Sequence, residues 1–221
     1  MAVSATRRRR GRPRADEAGP GATRAALLAA AERVFADRGY AAASVDAIVE
    51  TAGLSKGTFY WHFKSKDDLL FALLEERIDR PLREWMERLE SAPPDVDLAP
   101  EASRWFAELL QRERDALLLE QEYWALAARD PKLRARYARR QARLRATLAK
   151  ALEARGRHLG TPHLSTPTEE VATAYLALAN GLALERLIDP GAVPDHLLGE
   201  TAALVYAGLV ARAEEKESDG R

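Results

Sequence analysis

The sequence predicts an all-α chain of about nine helices, three in an N-terminal head and six in a C-terminal bundle. Three observations lead to it. Apolar residues recur at three- and four-residue spacing along most of the chain, the period of one helix face. Capping and breaking residues stand at helical intervals, among them Ser44, Gly53, Ser55, Asp130-Pro131 and Asp189-Pro190-Gly191. Beyond Lys66 no sustained apolar/polar alternation calls for a strand.

From Thr23, Leu27, Ala31, Val34 and Phe35 form one helical stripe, which Gly39 stops by taking a positive φ, with Tyr40 placed to pack back on the last turn. Ser44 caps a short second helix with Val45, Ile48, Val49 and Ala52 inward; its N3 residue, Ala47, makes the cap a single one. Gly53-Leu54 turns, and Ser55 caps a third helix to about His62, anchored by Phe59 and Phe63. Two short helices across a glycine-containing turn make a helix-turn-helix. A fourth helix starts near Lys66, and Pro81 within it implies a kink or break. A proline-bearing loop spans Ala92 to Ala99. Two helices parted near Glu113 cover Glu101 to Arg129. Asp130 and Pro131 open a long helix to about Arg155 with Leu133, Tyr137, Leu144, Leu148 and Leu152 on its apolar face. Thr168 to Leu187 and Asp195 to about Ala213 are the last two helices, and an acidic tail from Glu214 frays.

With 221 residues, 47% apolar and 31% charged, the chain has a globular composition and room for a sizeable core. It has no cysteine, which excludes disulfides, thiolate metal sites and cysteine nucleophiles. The four histidines, His62, His158, His163 and His196, stand apart from convergent carboxylates, so no metal or other cofactor is implied. The most apolar stretch, Val171 to Leu184, is 14 residues and is broken by Thr173, Asn180 and Gly181, which reads as a buried soluble helix and not a membrane span. No signal peptide follows the arginine run, placing the chain in the cytoplasm.

The formal net charge of zero divides unevenly. Up to Lys66 there are 12 Lys+Arg against 6 Asp+Glu, and beyond it 22 against 28. The chain therefore reads as a disordered basic arm (1–21), a head (22–68), a body (69–213) and an acidic tail (214–221).

The segment AGLSKGTFYWHFKSKDDLL, Ala52 to Leu70, resembles the recognition helix and following helix of the tetracycline-repressor (TetR) family, and the likeness extends over about residues 23 to 70. The resemblance implies an operator-binding head and a helical body that dimerises and senses a small molecule. On physical grounds Ser55, Lys56, Gly57 and Thr58 present two hydroxyls, an ammonium and bare backbone at the helix end that enters a major groove. Tyr60, His62 and Lys66 supply groups suited to phosphate oxygens, and Ser44, the cap of the second helix, is a further DNA-binding candidate. Trp61 either lies on the sugar-phosphate backbone or covers the core of the head. Asp46 stands where some members of the family carry a basic or neutral residue, so stabilising its helix N-terminus is its assigned role. In the arm, Arg10-Gly11-Arg12-Pro13 resembles an AT-hook core, with Arg10 and Arg12 reaching a minor groove.

In the body, Ala174, Ala177, Gly181 and Leu184 on one helix and Leu204, Ala207, Gly208 and Ala211 on the last offer a small-residue surface. The resemblance implies that these helices and their symmetry mates form a four-helix homodimer interface. Trp85, Trp105, Phe106, Glu120, Tyr123, Trp124, Tyr137, Tyr175 and Asn180 are candidates for a pocket taking an unidentified small-molecule effector. Lys132 to Lys150 carries eight basic residues and no acidic one. Residues 67 to 130 carry 17 Asp+Glu against 8 Lys+Arg, so this helix is expected to pair with acidic neighbours in the body. The whole reads as a homodimeric, ligand-responsive transcriptional regulator, a repressor on double-stranded DNA, with no catalytic constellation. The rival reading is a sequence-tolerant architectural DNA binder driven by the arginine arm.

Overall fold

The computed structural model describes residues 19–161 and 164–219. The basic arm with Arg10 and Arg12, and His163, lie outside them. The chain divides into two compact units, one ending at Ala72 and the other running from Leu73.

The head holds α1 (Pro20–Ala42), α2 (Val45–Ala52), α3 (Lys56–His62) and the first turns of α4 (Lys66–Leu74). Helix α1 starts three residues before Thr23, where the sequence pattern turns helical. The fixed φ of Pro20 suits the first helical position, and the carbonyl of Gly19 accepts the amides of Ala22 and Thr23. Gly39 takes φ 71° and ψ 170°, a kink and not a stop, because helical backbone resumes to Ala42. Tyr40 packs its ring on Phe35 with centroids 5.7 Å apart. Ser44 caps α2 as expected, its Oγ accepting the amide of Ala47 at 3.2 Å. The exit is a Schellman turn: Gly53 sits at φ 68°, ψ 33°, its amide donates to Glu50 O, and the Leu54 amide donates to Val49 O at 2.9 Å. A Cβ at Gly53 would strain that left-handed backbone. Leu27, Ala31, Phe35, Ile48, Phe59, Phe63, Leu69 and Leu70 form the buried centre. Each large side chain there contributes about 1.5–3 kcal/mol by leaving water.

In the second unit a π turn (Glu75–Asp79) leads into α5 (Arg80–Ser91), followed by α6 (Ala99–Arg112), α7 (Arg114–Ala127), α8 (Pro131–His158), α9 (Thr168–Ile188) and α10 (Leu197–Asp219). No non-helical residue separates α4 from α5, so the described residues contain nine helical stretches and no strand. The π turn is the answer to Pro81. Proline lacks an amide hydrogen and its ring would meet the carbonyl of Arg77. The widened turn, closed by the Arg80 amide on Glu75 O, accommodates it without breaking the helix. Helix α8 is capped by Asp130, whose carboxylate accepts the amides of Lys132 at 2.7 Å and Leu133 at 3.3 Å. It packs on α5, α7 and α9, around Met86, Leu148, Leu152, Val171 and Ala172. Helix α10 lies on α6 and α9.

Within this chain helix α9 is buried on one face: Val171, Ala172 and Ala183 point inward, while Ala174, Ala177, Asn180, Gly181 and Leu184 are exposed. At 21 residues it also reaches the length and apolarity of a membrane span, which a count from Val171 to Leu184 falls short of. Helix α10 continues to Asp219, through the residues assigned to a frayed tail.

Candidate nucleic-acid interface and body cavity

Helix α3 is capped by Ser55, whose Oγ accepts the Thr58 amide at 3.0 Å and lies 2.8 Å from the Thr58 hydroxyl. With Phe59 fully buried and Phe63 nearly so, the helix can turn only one side outward. That side carries Ser55, Lys56, Gly57, Tyr60 and Trp61. Trp61 is 71% exposed, with its ring edge-to-face on His62 at 4.5 Å, so it does not cover the core. Lys56 forms an ion pair with Asp46 at 2.7 Å across the turn between α2 and α3. The hydrogen bond and field of that carboxylate raise the Lys56 pKa and hold the ammonium charged. Asp46 thus does more than complement the N-terminus of α2. It also pre-positions the side chain assigned to base reading.

Lys66 is placed differently from a free phosphate ligand. Its Nζ donates to the carbonyls of Tyr40 and Ala43, both at 2.7 Å, and sits 4.3 Å from the centre of the Tyr40 ring. The Tyr40 hydroxyl in turn donates to Asp67. Lys66 therefore ties the end of α1 to the start of α4. Nothing in its spacing within the motif marks this bracing role.

In the body, a cavity of about 300 Å³ opens among α5, α6, α8, α9 and α10. Three of the nine candidate residues line it: Trp85, Trp105 and Tyr175. The two indoles stack with centroids 5.5 Å apart and planes 19° from parallel. Tyr175 donates its hydroxyl to Ala202 O at 2.8 Å, and burial with the neighbouring Tyr206 raises its pKa. Sequence reasoning missed Leu82, Leu89, Leu148 and Arg155. The spacing of Leu82, Trp85 and Leu89, one face of α5, was the available signal. Arg155 is 6% exposed and donates to the carbonyls of Ala92, Pro93 and Val96 at 2.6, 2.8 and 2.9 Å.

The other six candidates lie elsewhere. Phe106 is core, while Trp124 and Asn180 face outward. Glu120 and Tyr137 belong to a separate buried cluster around Arg140, with Tyr123 beside the Tyr137 ring at 6.3 Å. Arg140, only 1% exposed, donates to Asp79 through Nε and Nη2 and to Glu120 through Nη1. Tyr137 donates to Glu120 at 3.0 Å. Burial opposes the charge on Arg140, but Glu120 and Asp79 outweigh it and lift its pKa above the usual range. Burial also raises Asp79, against the pull of Arg140. The pairing expected of the basic helix thus holds at Arg140, whereas Lys132, Arg139, Arg143 and Lys150 are exposed.

Residues 27–73 match the family described as bacterial regulatory proteins, tetR family, and residues 101–207 match the C-terminal region of BetI-type transcriptional repressors. The chain belongs to the TetR family. Its relatives are named as transcriptional regulators and not as enzymes. The transcriptional activator FasR of Mycolicibacterium smegmatis is 33% identical over 45% of this chain and 47% of that protein. The regulator EthR of the same organism is 38% identical over 44% of each. This chain therefore spans about half the length of these two curated relatives. The repressor AcnR of Corynebacterium diphtheriae is 29% identical over 75% of this chain and 80% of its own. Among solved structures, a transcriptional regulator from Pseudomonas aeruginosa PAO1 superposes with a TM-score of 0.70, covering 92% of this chain and 98% of that one at 24% identity, a likeness of fold. The multidrug binding protein EbrR, solved in complex with ethidium, matches with a TM-score of 0.57 at 25% identity over 82% of this chain and 96% of that chain.

Proposed function

We propose that this TetR-family chain is a homodimeric repressor that reads a palindromic operator through α3 and is released by a small molecule bound in the body cavity. The observation that carries the DNA reading is the doubly capped turn between α2 and α3, which holds Lys56, Gly57, Tyr60 and Trp61 outward on a short helix whose other side is locked by Phe59. In this reading Lys56 and Thr58 meet base edges, Ser44, Ser55, Tyr60, Trp61 and His62 meet the backbone, and the arm with Arg10 and Arg12 adds minor-groove charge. The dimer reading rests on the outward faces of α9 and α10. Leu184, Ile188 and Leu204 are 44%, 79% and 74% exposed beside small residues, apolar surface of the kind that a second copy covers. Such a regulator works in the cytoplasm, where its DNA is.

Fluorescence anisotropy with duplexes from the region flanking its own gene tests this against the architectural alternative. An operator reader binds one fragment about 10³-fold or more tighter than random duplex. Equal affinity for every duplex would return the function to sequence-tolerant binding.

A further inference from the structure

Arg155 is an unusual group to find on the wall of an apolar cavity. It is 6% exposed, and its partners are three backbone carbonyls in the segment 92–96, where α5 ends. Among the described residues no carboxylate pairs with it. Carbonyl dipoles satisfy hydrogen bonds but do not cancel a full charge, and the field of a buried cation without a counter-ion is screened far less than that of a surface one. Two hydrogens on Nη1 and one on Nη2 account for the three bonds, which leaves Nε–H and the second Nη2 hydrogen for another acceptor. Among the described residues the one acidic side chain on the cavity wall, Asp97, is exposed to solvent and accepts the Ala99 amide at 2.9 Å. Most of the remaining lining is apolar, Leu82, Leu89, Leu148 and Leu176 with the stacked indoles of Trp85 and Trp105, and the hydroxyls of Tyr175 and Tyr206 on the same wall are bonded to Ala202 O and the Thr161 hydroxyl.

We propose that the cavity takes an apolar organic acid, its carboxylate placed against Arg155 and its hydrocarbon or aromatic body along Trp85 and Trp105. This deepens the effector reading and rests on it for its biological meaning, but the two fail separately. The carboxylate supplies the counter-charge that the fold withholds from Arg155. The apolar body fills a volume suited to a small organic molecule. A cation such as ethidium meets the wrong field here.

The test uses full-length protein and a matched pair of probes, 6-phenylhexanoate and 6-phenylhexan-1-ol, at pH 7.5, with tryptophan quenching and calorimetry as readouts. The acid is expected to bind at least tenfold tighter than the alcohol. In Arg155→Gln that preference should vanish while the affinity for the alcohol persists. Arg155→Lys, which keeps the charge and a hold on the loop, should retain part of it, and far-ultraviolet circular dichroism establishes that both variants are folded. Equal binding of acid and alcohol, a preference that survives Arg155→Gln, or no binding of either probe would overturn the inference. DNA anisotropy with the same probes separates it from the effector reading. An Arg155-dependent preference without DNA release sinks the effector reading alone, and release by the alcohol alone sinks the organic-acid assignment alone.

Discussion

Lys56 meets Asp46 before it meets anything else. The pair is exposed on both sides, so its worth to folding is small, but it sets what a DNA phosphate or base must displace. Replacing the carboxylate, Asp46→Asn, should strengthen binding to random duplex several-fold and steepen the salt dependence by about one unit in log–log slope, as a freed positive charge does. An anisotropy titration across salt concentrations reads both numbers, and an unchanged slope would mean that Asp46 does not hold the Lys56 charge back from DNA. Lys66 makes the opposite case. Its ammonium is spent on the Tyr40 and Ala43 carbonyls, so Lys66→Ala should lower the stability of the head by about 1–2 kcal/mol. Urea unfolding checks this. A loss of DNA affinity at full stability would restore Lys66 to the phosphate-contact role. The motif around these residues was legible as a motif, yet the same spacing was compatible with either role. Which carbonyls lie within reach of an ammonium is a matter of how α1 returns to α4.

At the level of elements, capping chemistry was the most readable part of the chain. Ser44, Ser55 and Asp130 cap as expected, because each cap is closed by amides two or three residues away and needs no distant partner. Pro81 announced a disturbance, but its form, a π turn that keeps the helix running, depends on what surrounds it. Asp79, the last residue of that turn, is held by Arg140 of α8, 61 residues away. Arg140→Met should therefore cost about 3–5 kcal/mol, since it strands Asp79 and Glu120 as buried carboxylates. Thermal or urea denaturation measures it, and a loss below about 1 kcal/mol would show that water reaches the cluster. In the sequence Glu120, a polar group on an apolar helix, and Tyr137, one of the aromatics of the body, are candidates for a pocket. In the fold the same residues are satisfied by an arginine.

For the whole molecule, the open faces of α9 and α10 predict its assembly. Leu204→Glu places a charge at the centre of the proposed four-helix contact and should convert a dimer to monomer in light scattering, with loss of tight operator binding as the second recognition helix is lost. A dimer that survives this substitution would put the interface elsewhere. The overall charge of zero belongs to the same scale. It conceals a basic N-terminal third and an acidic remainder, a division of charge that accords with the proposed DNA reading of the head. By itself the sequence determined the all-helical class, the helix-turn-helix and its caps, because these rest on 3.6-residue periodicity and on bonds between residues a few positions apart. Only the tertiary structure decided that Lys66 braces the head, that α9 is half bare, that Glu120 and Tyr137 serve Arg140 while Trp85 and Trp105 face a cavity, and that Arg155 stands in that cavity without a carboxylate. Those outcomes turn on which side chains meet across tens of residues, where burial and charge pairing act together.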